Sequence, residues 1–432
     1  MPTDLPLQQT AQGQLVNGRS LWGKRTAMPV YEPLRKSLSV DVAVIGGGIT
    51  GSLAAEHLTA RGFSVAIVDR EEPGLGSTAA STAMLQWEID TQLSELSLYY
   101  GFERAAAIYR RSAVAVSGLA KLIDRLNIIC KYRSRSSLYL TSSAAGAREL
   151  QQELELRHRA GLPGEYLSHP YLMTEFEIER DGGIFSRGSA EVDPLLLTWG
   201  LIEVAHRRGA RLVRGAAKQL HCEGQKVTVE MMDGTHLIEA GHVVLATGYS
   251  MPGIDMPKLH RTTSSWAMAT VPQDPTRLWR ERALIWEDSH PYLYARTTAD
   301  NRIVIGGEDD ETVDPHMRAA KMPEKIGTLR EKLKLLWQHA DTRVDYAWSG
   351  AFGTTIDGLP LIGQVPGMPR VYAAYGYGGN GITFSFMAAL MIGAMVTGGT
   401  REWFDDFALD RPGPGLKGGY GGSDPAIVAL SH

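Results

Sequence analysis

Residues 41–69, DVAVIGGGITGSLAAEHLTARGFSVAIVD, constrain this chain more than any other stretch. Val42 to Ile45 form an apolar run leading into Gly46-Gly47-Gly48-Ile49-Thr50-Gly51. A helical pattern follows, with Leu53, Ala54 and Leu58 on one face and Gly62 where a C-terminal cap sits. A second apolar run, Val65 to Val68, ends on Asp69. Strand, glycine turn, helix, strand and terminal acid make a dinucleotide-binding βαβ unit. Gly46 permits the tight turn, Gly48 lets the backbone approach a pyrophosphate, and Gly51 lets helix and strand pack closely. The free N–H groups and dipole of the helix N-terminus favour a bound anion. Asp69 can accept hydrogen bonds from a ribose 2′-hydroxyl and repels a 2′-phosphate. The motif alone does not say which dinucleotide binds.

At 432 residues the chain is long enough for about two or three domains. A net charge of −4 supplies no basic footprint, which argues against nucleic-acid binding. The two cysteines, Cys130 and Cys222, have no metal-ligand spacing and read as reduced residues of a cytoplasmic protein, with no metal expected. The start, MPTDLPLQQTAQGQL, lacks a basic region followed by an apolar core, unlike a signal peptide. Phe384 to Val396 is apolar but short for a membrane span and suits a buried helix.

Along the chain, Trp22 and Tyr31 point to an N-terminal arm packed on the domain. The segment EEPGLGSTAASTAMLQWEID is rich in hydroxyls and small residues, suiting either a phosphate or sugar wrap or an ordinary loop. Helical periodicity spans Gln92 to Leu126 with a break near Gly101, and returns over Ala144 to Arg159. Asp193-Pro194 reads as a helix start. A hairpin turns at Asp233-Gly234, and His242 to Ala246 is a buried strand ending at Thr247-Gly248. Residues 265 to 306 carry β-type segments of a separate antiparallel sheet, followed by a helix from Pro323 to His339. After the turn Asp357-Gly358 and a strand from Val371 to Tyr375, YGYGGNGITFS opens the apolar helix. Residues 411–432, with GPG, GG and GYGG, read as a flexible tail.

In this order, DVAVIGGGITG, Asp69, GSTAAS, VDPLLL, VVLATG, DGLPLIG and YGYGGNGITFS resemble the FAD-dependent amine and amino-acid oxidoreductases, the group of glycine oxidase, sarcosine oxidase and D-amino-acid oxidase, with gamma-glutamylputrescine oxidase-like members nearest. The resemblance implies an α/β chain: a Rossmann-like FAD-binding domain of the glutathione-reductase type, interleaved with an α+β substrate domain on an antiparallel sheet. The expected division is an arm at 1–37, an FAD-binding domain at 38–90, 180–252 and 346–400, and a substrate domain at 91–179 and 253–345. FAD contacts are expected at Gly46, Gly48, Ile49, Thr50, Gly51, Asp69, Arg70, Gly76, Ser77, Thr78, Ser81, Thr82, Lys218, Thr247 and Gly248. The second glycine turn adds Gly378, Gly379, Asn380, Gly381, Ile382 and Thr383, which in the family face the flavin pyrimidine ring.

The departures from the family also carry expectations. Gly350 stands where sarcosine oxidase has its flavin-linking cysteine, so FAD is expected to be held non-covalently. Phe352 stands where glycine oxidase has the arginine for a substrate carboxylate, which argues for an amine or for a carboxylate held elsewhere, by Arg261 or Arg296. Val304 stands where sarcosine oxidase has a lysine assisting oxygen, leaving oxygen and another acceptor both open. The implied reaction is hydride transfer from the carbon beside nitrogen to the flavin, with hydrolysis of the resulting imine. Phe352 and Tyr377 are expected on the substrate face, with Trp266, Tyr292 and Tyr294 as candidate walls, for all of which ordinary core packing is the competing reading and, for the three walls, the favoured one; Glu308 and His290 are weaker candidates, for which a solvated turn and a structural histidine are favoured. A nicotinamide enzyme, a dehydrogenase subunit and a redox-quiet flavoprotein subunit are the competing functions.

Overall fold

The computed structural model describes residues 16–22, 30–249, 260–287 and 292–413. His290 and the tail from 414 onward lie outside the described residues. Two sheets organise what is described. In the first, parallel strands run in the order Val371–Tyr375, Leu237–Leu245, Leu38–Ile45, Val65–Asp69, Arg211–Arg214 and Glu32–Pro33. Their side chains are apolar on both faces: Val42, Ala43, Val44 and Ile45 are all buried, as are Val65 to Val68. This is the composition of a parallel sheet covered on both sides. The hairpin Ala217–Glu223 and Lys226–Met231 continues antiparallel from the first half of Leu237–Leu245. Because the strands are parallel, the C-terminal ends of Leu38–Ile45, Val65–Asp69, Leu237–Leu245 and Val371–Tyr375 open at one edge, where ligands of such sheets sit.

The second sheet runs in the order Val16–Arg19, Val344–Thr355, His260–Thr270, Ile303–Asp310, Leu293–Thr297, Leu284–Glu287, Arg133–Thr141, Gly182–Glu191 and Met84–Leu85, with Glu165–Ser168 beside Gly182–Glu191. It is antiparallel except where Leu284–Glu287 runs parallel to Arg133–Thr141. Helix Pro315–Leu336 covers one face. That helix starts eight residues before the expected Pro323: Asp314 accepts the Met317 N–H at 2.8 Å as its cap, Pro315 takes the first turn, and Pro323 is accommodated inside.

Sheet membership divides the chain differently from the expected ranges. Residues 182–191 and 344–355, placed largely with the nucleotide half, are strands of the second sheet. Helices Leu93–Tyr100 and Phe102–Leu126, placed with the substrate half, bury Leu96, Ile108, Leu119 and Ile123 in the same core as Val42, Val44 and the C-terminal helix. The arm enters both halves. Val16–Arg19 pairs with Val344–Thr355, and Trp22 and Tyr31 are buried.

The C-terminal helix Gly381–Val396 lies in the centre of that core, against helix Ile49–Ala60 and helix Phe102–Leu126. With the turn before it, it is the one described helix long and apolar enough to cross a membrane, yet most of it is buried within the protein. Beyond it the chain stays ordered through Arg411, which was expected to begin the tail. Its guanidinium, 4% exposed, binds both carboxylate oxygens of Asp357 at 2.8 and 3.0 Å and also donates to Leu359 O and Pro360 O. Burial pushes the Asp357 carboxyl up, but Arg411 and the Tyr100 hydroxyl at 2.6 Å hold it below the usual carboxylate range. Replacing Arg411 by Ala leaves a buried carboxylate unpaired and is expected to cost about 3–5 kcal/mol, read from denaturant unfolding. Since the folded Asp357 is depressed, the wild type's advantage should hold at neutral pH and fade as pH falls through the carboxylate range.

Candidate active site: one cleft between two glycine turns

A single elongated cleft runs along the open edge of the parallel sheet and ends beneath the second sheet. At one end lies the turn of the βαβ unit. Gly46 adopts φ +110°, and its N–H donates to Val68 O at 2.8 Å. Gly51 does not line the cleft: a Cβ there would collide with Gly46 O, so its bareness sets how closely the helix approaches the turn. Helix Ile49–Ala60 has Gly48 as its N-cap and no side-chain cap, so its N-terminus presents backbone donors to the cleft. Thr78 Oγ1 accepts the Ile49 N–H at 3.0 Å and fixes the hydroxyl loop against this turn.

Asp69, at the end of its strand, accepts the Gly47 N–H at 2.6 Å and the Glu71 N–H at 2.9 Å. Burial pushes its carboxyl up, and these two N–H groups oppose the rise. The Tyr31 hydroxyl packs beside Gly47 and is pushed up by burial and by Asp69, so it stays a neutral group. Gly76, Ser77, Thr78, Ser81 and Thr82 line the middle of the cleft together with Arg70, Thr247 and Gly248. Two indoles hold this loop from behind: Trp348 Nε1 donates to Ala80 O at 2.8 Å and Trp22 Nε1 to Ser81 O at 2.6 Å. Ser77 Oγ is buried and has no partner among the described residues.

At the other end, Gly376 and Gly378 take positive φ in the turn that opens the C-terminal helix. Gly378, Gly379, Gly381 and Ile382 line the cleft; Asn380 and Thr383 face away from it. Asn380 Nδ2 donates to Gln86 O and Glu88 O at 3.0 and 2.7 Å, and Thr383 Oγ1 to Gln86 O at 2.9 Å. Both therefore staple the 86–90 loop to the turn. The two glycine turns are joined directly, because Thr50 Oγ1 lies 3.1 Å from Tyr377 OH and 2.8 Å from Ser385 Oγ.

The remaining expected residues separate clearly. Phe352 and Tyr377 line the cleft beside Tyr292 and Tyr294. Trp266 borders it, but its indole is directed at helix Pro315–Leu336, donating to Arg318 O with Lys325 over its ring. Lys218 lies outside the cleft, on the hairpin, with its ammonium 2.6 Å from Glu230; the backbone of Ala217 lines the cleft instead. Arg296 is buried against Glu191 at 3.0 Å, and Arg261 lies toward the surface beside Glu311 at 3.8 Å. Neither lines the cleft. Glu308 is neutralised by Lys332 at 2.5 Å and Lys325 at 3.8 Å. Val304 is buried with Ala267, Ala269 and Trp348.

Residues that the sequence reading missed are Asp90, Gln86, Tyr249, Ser265, Tyr375 and Ser385. Tyr249 directly follows the ATG signal, Gln86 and Asp90 lie in the hydroxyl-rich segment, and Tyr375 and Ser385 bound the second glycine motif; Ser265 alone had no such cue. Tyr249, Tyr292, Tyr294 and Tyr377 are all pushed up by burial and are neutral hydroxyls near pH 7.

Residues 41–395 match the family model described as FAD dependent oxidoreductase. Among curated relatives, gamma-glutamylputrescine oxidoreductase of Escherichia coli (strain K12) is 24% identical, over 88% of each chain. Glycine oxidase of Bacillus licheniformis is 25% identical, over 86% of this chain and 97% of its own. Among solved structures, glycine oxidase from Geobacillus kaustophilus has a TM-score of 0.73 at 19% identity, covering 87% of this chain and 100% of that one. L-amino acid deaminase from Proteus myxofaciens also reaches 0.73, at 16% identity, covering 92% and 98%. The shared fold, the family match over most of the chain and the cleft between two glycine turns lead to one conclusion: this chain belongs to the family of FAD-dependent oxidoreductases.

Proposed function

We propose that the chain oxidises a C–N bond of an amine or amino-acid-like substrate, with FAD bound non-covalently in the cleft. The observation that carries this reading is the Thr50–Tyr377–Ser385 hydroxyl contact, which sets two helix N-termini side by side on one continuous cavity. One N-terminus suits a pyrophosphate and the other a partly anionic ring. The orphaned Ser77 Oγ, the glycine N-cap at Gly48 and the positive-φ glycines at 376 and 378 fit an extended dinucleotide. Gly46, Gly48, Ile49, Thr50 and the hydroxyls of Ser77 and Thr78 would hold the phosphates. Asp69 and Arg70 would hold the adenosine ribose, and Gly378, Gly379, Gly381 and Ile382 the ring. Neither cysteine supports a covalent link: Cys130 is buried away from the cleft and Cys222 lies on the outer hairpin.

When bound, the flavin supplies a two-electron acceptor. The chain's own work is positioning. Phe352, Tyr377, Tyr292 and Tyr294 wall the reacting end and exclude water, while the neutral hydroxyls of the three tyrosines donate and accept hydrogen bonds without taking a proton. The substrate nitrogen accordingly enters as the neutral amine, and the resulting imine leaves to water. The relatives named gamma-glutamylputrescine oxidoreductase and glycine oxidase support a nitrogen-bearing substrate. The cleft, with Phe352 at its substrate end and Arg261 and Arg296 outside it, favours an amine over an α-amino acid.

Anaerobic addition of amines, including N-methyl amino acids and polyamines, should bleach the flavin absorbance. A protein that binds FAD yet is bleached by none of them would instead favour the redox-quiet subunit. Repeating turnover with oxygen and with an artificial acceptor should assign the oxidant. Mild denaturation should release all of the flavin into the supernatant; yellow colour left on the chain would contradict non-covalent binding. Asp69→Ala should lower the flavin content of purified protein several-fold by absorbance ratio, whereas Lys218→Ala should leave it unchanged.

A further inference from the structure

The acidic run Gly306-Gly-Glu-Asp-Asp310 closes strand Ile303–Asp310 and sends its three carboxylates in two directions. Along a regular strand, successive side chains alternate between faces. Here the register against His260–Thr270 shifts between Ser264 and Trp266, and Gly307 and Glu308 both take positive φ, at +133° and +59°. The bulge resets the alternation. Glu308 and Asp310 end on the side of helix Pro315–Leu336, where Lys325 and Lys332 pair with Glu308, and Lys321 with Asp310 at 2.7 Å. Asp309 turns the other way, onto the face of Ser265, whose hydroxyl acts to lower its carboxyl and lies 3.4 Å from Tyr294 OH.

Ser265 and Tyr294 line the substrate end of the cleft, so Asp309 sits directly behind that wall. Its Oδ1 is buried and has no hydrogen-bond partner among the described residues. Across the chamber stands Asp90, open to the cavity yet enclosed by protein, with one oxygen on the Gly379 N–H at 2.6 Å. The titratable and charged groups around Asp309 are Asp90, Tyr292 and Tyr294 on the chamber side and Lys325 and Glu308 behind the strand. Among the described residues lining the cleft, Arg70 is the one cationic side chain, next to Asp69 at the end of strand Val65–Asp69. A substrate carboxylate in this chamber meets the Asp90 carboxyl, with Asp309 as a second acid behind the wall. A second ammonium meets the Asp90 carboxylate, the Ser265 and Tyr294 hydroxyls and tyrosine faces, with the Asp309 charge directly behind those two hydroxyls.

We infer that this chamber selects amines carrying a second cationic group, diamines or polyamines, with Asp90 facing the remote ammonium and Asp309, behind Ser265 and Tyr294, as the specificity-determining residue that acts through that wall. The inference rests on the amine-oxidising reading above and names its substrate class. Charge-assisted bonds at a shielded site contribute roughly tenfold or more in affinity. Burial foremost, with Asp90 adding to it, pushes the Asp309 carboxyl up to about 6. Its charge is therefore present at neutral pH and lost as the solution is acidified through that value.

The experiment is calorimetric titration of the FAD-loaded protein with 1,4-diaminobutane, 1-aminobutane and 4-aminobutanoate, for the wild type, Asp309→Asn and Asp309→Glu. At pH 7.5 the diamine should bind about tenfold or more tightly than the monoamine, and 4-aminobutanoate more weakly than either. Asp309→Asn should remove most of the diamine preference and Asp309→Glu should keep it. Lowering the wild type to pH 5 should mimic Asp309→Asn, an arm that needs no variant to fold. Equal affinity for diamine and monoamine, tightest binding of 4-aminobutanoate, or a preference unchanged by both Asp309→Asn and pH 5 overturns the inference. The titrations are run anaerobically with the flavin already reduced by dithionite, so binding is read without turnover. Intact preference with no flavin bleaching by any amine would count against the oxidation reading alone, and bleaching without preference against this inference alone.

Discussion

The contact among Thr50, Tyr377 and Ser385 is the constraint on which the rest of the cleft depends. It ties the start of helix Ile49–Ala60 to the start of helix Gly381–Val396, two elements more than three hundred positions apart in the chain. Helix dipoles act over the first turn only, so two N-termini can serve one extended ligand only if they are held in a fixed relation. The buried hydroxyl triad does this at the two helix starts. The packing of the two helices in one core does it beneath.

That core explains how the 86–90 loop becomes part of the site. Asn380 and Thr383 were expected to touch cofactor, yet they spend their polar atoms on the carbonyls of Gln86 and Glu88. Behind the loop, buried Glu88 accepts from Ser137 and Ser189 and lies near Arg157, which is paired in turn with Glu153 at 2.8 Å. A buried network of this kind contributes little net stability but penalises misplacement heavily, because each lost partner leaves a desolvated charge. Its consequence is positional: the loop carries Asp90 to the Gly379 N–H and so sets a carboxylate at the substrate end.

The charge pattern of the substrate chamber follows from local backbone geometry rather than from composition. Glu308, Asp309 and Asp310 are chemically near-equivalent in the sequence. One bulge sends two of them to the lysines of helix Pro315–Leu336 and the third toward Ser265. Glu308 was the acid considered for a cationic substrate, but its pairing with two lysines removes it from that role. Lys218 is the parallel case at the other end of the cleft: the strand places its backbone neighbour Ala217 on the cavity and its ammonium in solvent beside Glu230.

What the sequence by itself determined is the part encoded in short-range patterns. The βαβ unit with Asp69, the second glycine turn, the capped helix at Asp193 and the parallel core strands are all set within windows of about thirty residues. They were legible because glycine φ values, caps and unbroken apolar runs are local requirements. The tertiary structure alone decided the division of strands between sheets, the ordering of the chain through Arg411 and the orientation of Asn380, Thr383 and Trp266. It also decided which member of an acidic run faces the cavity. These depend on long-range pairing, on buried charges finding partners hundreds of residues away, and on a bulge whose one-residue shift exchanges the two faces of a strand.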